Sequence, residues 1–184
     1  KKFDEPPTAA AISPDAKYVV LAGGKRAYYS RNYGEDFEFL RLRKADIAHI
    51  EFLKSESPIA LIMDSDGKFY TINLSVRSPR EKPVPIPAAG KDTLYACAGP
   101  DSGSYFSASS DAVYYTAGGR PVKVSGSPTV QVVFMCPSAD GAFAIADGLY
   151  RITPSGAQKV QLSEVPGDVE QIIGTEKKLL LLTK

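Results

Sequence analysis

Four times along this chain an aromatic or apolar residue and a tyrosine stand together in a short strand-like run. The copies are Tyr28-Tyr29-Ser30, Phe69-Tyr70-Thr71, Val113-Tyr114-Tyr115 and Leu149-Tyr150-Arg151. Aligned on Tyr28, Tyr70, Tyr114 and Tyr150, they lie 42, 44 and 36 residues apart. A recurrence of this length in short strands excludes most folds, because each copy is too small to bury its own apolar face and must stack on its neighbours.

A turn and an apolar run precede each anchor. The turns are Ser13-Pro-Asp-Ala-Lys17, Lys54-Ser-Glu-Ser-Pro58, Gly99-Pro-Asp-Ser-Gly103 and Pro137-Ser-Ala-Asp-Gly141. The runs are Tyr18 to Ala22, Ile59 to Met63, Ser104 to Ala108 and Ala142 to Ala146. Proline fixes φ and Asp or Gly tolerates awkward turn positions, so each pair reads as a hairpin. The predicted fold is all-β: a β-propeller of about four four-stranded blades plus a partial fifth, within a larger propeller. The whole chain, 1–184, is expected to be one propeller domain or segment, with blades at about 8–43, 46–86, 93–125, 128–162 and a partial one at 168–184.

Val, Ile, Tyr, Phe and Thr fill the runs, as pleated strands require. Leu40 to Phe52 carries apolar residues near helical spacing. The repeat phase puts a blade boundary near Lys44-Ala45, so this segment reads as two strands. A fourth blade is expected to open with a strand over 128–136. The interval Ser75 to Asp92, with Pro79, Pro83, Pro85 and Pro87, reads as a surface loop with an edge strand inside it.

The partial fifth blade begins at Gly174-Thr-Glu-Lys177 and ends in the run Leu179 to Leu182. Two strands leave an apolar face and an unpaired edge, which invites association. Residues 1–7 are too poor in apolar side chains to complete it. The missing strands are expected from further blades of the parent chain, a partner protein, or self-association with a second copy.

Charge is almost balanced, with 22 basic against 21 acidic residues. This argues against nucleic acid as the main partner, and the apolar runs are too short for membrane insertion by this segment.

The stretch Ser30-x-Asn32-x-Gly34-x-x-Phe37 resembles the Asp-box, or bacterial neuraminidase repeat, whose pattern is Ser/Thr-x-Asp-x-Gly-x-x-Trp/Phe. Asn32 stands for the usual Asp, and Phe37 for the commoner Trp. A short polar side chain at 32 can still cap turn amides, Gly34 can still take a left-handed conformation, and Phe37 can pack the turn on the sheet. Gly156, in Thr153-Pro-Ser-Gly156, keeps the glycine in the fourth repeat. Asp-boxes occur in sialidases, other glycoside hydrolases and sortilin-type sorting receptors, and Ala11 to Leu74 looks most like the last. Ile12 to Val20 also looks like WD-repeat blades. The resemblance implies a propeller and gives the box a structural role on an outer hairpin.

A sialidase-like activity would need an arginine cluster and inner-strand carboxylates. The arginines instead fall in turns and outer strands, and Asp46 and Glu51 read as surface charges. His49, the single histidine, reads as a packed or exposed side chain. Asp64-Ser-Asp66-Gly67 reads as a hairpin turn rather than a calcium loop. Cys97 and Cys136 lack metal-site spacing; two buried thiols are expected over a disulfide, which leans towards a reducing, intracellular compartment. No cofactor or metal is expected. The chain therefore reads as a non-catalytic scaffold for protein partners, with a glycan-binding or glycan-processing propeller, or a sortilin-type luminal segment, as the alternatives. Arg77, Arg80 and Lys82 in the proline-rich loop are the candidate partner contacts.

Overall fold

The computed structural model describes residues 6–23, 26–42, 46–83, 95–161, 169–174 and 179–183. The lead-in at 1–5, the boundary at Lys44-Ala45, residues 84–94 and the turn at 175–177 lie outside the described residues.

Regular structure among the described residues is eighteen strands and no helix. The strands make four four-stranded antiparallel sheets and one two-stranded sheet. Each is a meander, with neighbours in space in the order of the chain. Two compact units divide them, Lys1–Ile86 and Pro87–Lys184.

The first unit holds β1 (Ala9–Ile12), β2 (Val19–Gly23), β3 (Arg26–Ser30) and β4 (Glu38–Leu40) in one sheet. A second sheet contains β5 (Ile47–Phe52), β6 (Ile59–Asp64), β7 (Phe69–Asn73) and β8 (Lys82–Pro83). The first strands, β1 and β5, lie side by side. Between the two sheets lies one apolar cluster that includes Val20, Tyr29, Leu40, Ile50, Ile62 and Ile72. Alternation explains the clustering, since Val20 and Ala22 of β2 are buried and their neighbours half-buried. Of the segment with helical spacing, Leu40 ends β4 and Ile47–Phe52 form β5, to which a buried β6 supplies hydrogen-bond partners from Ala60 to Asp64.

The second unit holds β9 (Tyr95–Ala98), β10 (Tyr105–Ala108), β11 (Val113–Thr116) and β12 (Val122–Lys123). Next come β13 (Phe134–Pro137), β14 (Ala142–Ile145), β15 (Leu149–Thr153) and β16 (Gly156–Lys159). The two-stranded sheet is β17 (Val169–Gly174) with β18 (Leu179–Thr183). Here β9 lies beside β13, and β13 beside β17. Phe106, Val113, Val132, Ala144 and Ile152 share the core cluster. Full burial of a side chain such as Phe106 is worth about 1.5–3 kcal/mol.

The tyrosine anchors fall on the third strand of each full sheet. Tyr28 faces Phe39 across the ladder, Tyr70 faces Pro83, Tyr114 faces Lys123 and Tyr150 faces Lys159. The strand expected over 128–136 begins only at Phe134. Its partner β14 gives way after Ile145 to a turn in which Ala146 N–H donates to the Gly148 carbonyl (3.0 Å). Before Val133, which still bonds to Ile145, no ladder partner is found among the described residues.

A polar device recurs at the hairpins. A serine hydroxyl donates to the side chain two residues on, from Ser13 to Asp15 (2.5 Å), Ser30 to Asn32 (2.8 Å), Ser109 to Asp111 (2.8 Å) and Ser138 to Asp140 (3.3 Å). Such local bonds satisfy turn groups that the ladders leave without partners.

Candidate functional site

The hairpin joining β3 to β4 carries the Asp-box-like residues. Ser30 Oγ accepts from the amides of Asn32 (3.2 Å) and Gly34 (3.0 Å), besides donating to Asn32. Asn32 Oδ1 accepts from the Asp36 amide at 3.0 Å, and its Nδ2 donates to the Asp36 carboxylate at 3.2 Å. Tyr33 and Gly34 both adopt positive φ, 61° and 83°. Tyr33 N–H donates to the Lys17 carbonyl, which ties this hairpin to the turn between β1 and β2. The polar groups of the box are thus turned inward on its own turn. Gly156, its counterpart by repeat phase, opens β16 and has no left-handed φ.

Between Ser30 and Asn32 stands Arg31, which points elsewhere. Its guanidinium lies 5.0 Å from the centre of the Tyr29 ring, and Nη2 donates to Tyr29 Oη at 2.8 Å and to the Val76 carbonyl at 2.8 Å. The Tyr29 hydroxyl in turn donates to Glu38 Oε2 at 2.7 Å. Burial raises the phenol's pKa, and the Glu38 carboxylate adds to that, so the hydroxyl keeps its proton and its role as donor.

Val76 belongs to the loop after β7, so this latch fixes the following residues against the first sheet. A groove of about 470 Å³ results, lined by Tyr29, Glu38, Phe39, Leu40, Arg41 and the loop from Arg77 to Arg80. Arg41, Arg77 and Arg80 are exposed, and Phe39 is 52% exposed on β4. Of the three residues expected to meet a partner, Arg77 and Arg80 come together here. Lys82 instead sits on β8 opposite Thr71, outside the groove lining.

Sequence reasoning missed Arg31, Phe39 and Arg41. The repeat phase held a usable signal: residues 38–41 and 76–82 both flank a fourth strand, so both belong at the outer edges of their sheets.

The other residues weighed for chemistry have local duties. His49 and Glu51 sit two apart on β5, with 3.6 Å between Nε2 and Oε2, and Asp46 is exposed with φ 74°. Asp64 Oδ1 accepts from the amides of Asp66 (3.0 Å) and Lys68 (2.9 Å), which makes it the cap of its hairpin. Cys97 and Cys136 are buried and are not joined in a disulfide. No group of three metal-ligating side chains is found among the described residues.

No family model and no curated protein matches the chain. Solved structures do. The chain is similar to PorZ, described as an essential bacterial surface component of the type-IX secretion system of Porphyromonas gingivalis, at a TM-score of 0.58 and 10% identity. That match covers 91% of this chain and 23% of PorZ. It is similar to YCF48 bound to D1 peptide, with a TM-score of 0.54, 12% identity, and 85% and 52% of the two chains covered. It is also similar to BBS1N in complex with ARL6DN, with a TM-score of 0.56, 15% identity, and 86% and 53% covered. The chain therefore spans between about a quarter and about half of the length of these structures. All three are β-propellers, and likeness at this level establishes the fold: an all-β chain of propeller blades.

Proposed function

We propose that this chain is a non-catalytic set of propeller blades that serves as a protein-interaction platform within a larger chain or complex. The observation that carries the reading is the groove beside β4. Three exposed arginines and an exposed phenylalanine gather around an outer strand, and a latch to a second sheet holds the loop that carries two of the arginines. A lining of this kind offers contact and charge, and it places no acid–base pair around a reacting centre. Two of the similar structures support the reading by their own contents, since one holds a peptide and another a protein partner. An intracellular setting suits the two buried thiols.

The glycan reading keeps one observation in its favour, the Asp-box-like hydrogen bonding of Ser30, Asn32 and Gly34. Those groups are consumed within their own turn, which favours a structural role. The test pairs affinity capture of a defined protein partner by the complete parent protein with a glycan array and a sialidase assay on the same preparation. A saturable protein partner with silent glycan assays supports the platform. A specific glycan hit with no protein partner overturns it.

A further inference from the structure

We infer that the groove beside β4 takes an extended acidic segment of a protein partner, which adds to β4 as a further strand. The inference rests on the platform reading and names the place and the chemistry of the contact.

Strand β4 has β3 on one side only. Among the described residues, no backbone hydrogen bond reaches Glu38–Leu40 from the other side. An open edge presents alternating N–H and C=O groups that an incoming strand can satisfy. The edge is about 10 Å long, enough for a few residues of an extended peptide. Phe39, packed edge-on against Tyr28 at 5.8 Å, leaves half its surface for an apolar side chain of the guest.

Charge selects the guest. The lining brings Arg41, Arg77 and Arg80 against one carboxylate, Glu38, which already accepts from Tyr29. None of the three arginines forms an ion pair among the described residues. Charges that merely guard an edge sit on the edge strand itself. Here two of the three come from a loop of another sheet, pinned by the bond from Arg31 to Val76. The bond fixes the loop backbone that carries these two side chains, and guanidinium groups pair carboxylates bidentately. In an extended guest, acids at every second residue would face one way and reach the arginines together.

The test uses the whole 184-residue chain and a fluorescent peptide of alternating Glu and Val, read by anisotropy at low and high ionic strength. Saturable binding is expected, weakened by salt and reduced at least about tenfold by the exposed double substitution Arg77→Glu and Arg80→Glu. Circular dichroism confirms that the variant is folded, and Arg120→Glu serves as a charge control with no expected loss. Methylating alternate backbone amides of the peptide should abolish binding in one of the two registers and spare it in the other. No saturable binding, affinity that ignores the double substitution, or affinity that ignores methylation in both registers overturns the inference. So does arginine-dependent binding of phosphatidylserine vesicles in place of the peptide. A defined partner that the double variant still captures would sink the groove while leaving the platform standing; loss of every protein partner beside a glycan hit would sink both.

Discussion

Arg31 donates a hydrogen bond to the carbonyl of Val76, 45 residues further along the chain, and so joins the hairpin of one sheet to a loop of the next. The two sheets share an apolar cluster, and this bond adds a polar tie at their outer side. Replacing Arg31 with Ala should lower the stability of the first unit by about 0.5–1.5 kcal/mol, since the bond is exposed. Arg77→Ala, whose side chain takes no part in the latch, should change it far less. Urea denaturation of both variants decides; equal midpoints would mean that the latch contributes nothing.

Backbone conformation, rather than space, governs the box glycine. A Cβ built on Gly34 meets nothing nearer than the Phe37 ring at 3.8 Å, but its φ of +83° resists side chains. Gly34→Val should therefore cost on the order of 1–3 kcal/mol, and Gly156→Ala much less. Gly141 is the opposite case: a Cβ there falls 1.8 Å from the Ile152 carbonyl oxygen. Gly141→Ala should cost about 3 kcal/mol through overpacking. Denaturation midpoints that fail to separate Gly34 and Gly141 from Gly156 would refute this ranking.

Asn32 suits its setting because its amide donates to Asp36. Asn32→Asp restores the Asp-box pattern but sets two carboxylates side by side. Repulsion should raise the pKa of the pair, so the variant loses about 0.5–1 kcal/mol at neutral pH. The loss should vanish as the pH falls below about 4, where one of the two is protonated. A variant at least as stable as the parent at pH 7 would contradict this.

Acid sensitivity has a local source in the second unit. The Arg151 guanidinium lowers the pKa of Asp140, and Lys159, then Tyr150, lower that of Asp147. Both folded values lie under the ordinary 3.8, so their stabilisation is complete above it and lost as pH falls through the lowered values. The double variant Asp140→Asn and Asp147→Asn should be less stable than the parent at pH 7, with the difference closing in strong acid. A gap independent of pH would exclude these pairs as the cause.

The thiols of Cys97 and Cys136 are buried in the folded chain. Native protein should react slowly with a thiol reagent, and unfolded protein should show two reactive groups without reductant. Finding none after unreduced unfolding would mean a disulfide.

Strand identity was legible because Tyr28, Tyr70, Tyr114 and Tyr150 repeat at one ladder position, which set the phase of every neighbouring strand. Val130, Val132 and Val133 misled: their β-branched side chains suit a strand, but pairing depends on where β14 turns away, and that lies in another stretch of chain. The groove was half legible. A loop rich in Arg and Pro advertised Arg77 and Arg80. The acceptor that positions them is the Val76 carbonyl, and main-chain carbonyls look alike in any sequence. Arg31 was hidden for the same reason, standing among box residues whose bonds stay within their own turn.

Each full sheet runs in chain order, so its ladders close between consecutive strands. A chain emerging from the ribosome could finish one sheet's hydrogen bonding before the next sheet has been made. Within each unit, folding under these terms proceeds sheet by sheet, each new sheet docking on a finished neighbour, as in other repeat architectures. The bond between Arg31 and Val76 must then form late, because its acceptor is synthesised long after its donor. The groove it braces would assemble only once two sheets are in place, which delays the gathering of the arginines into one cluster until there is a folded surface to carry it.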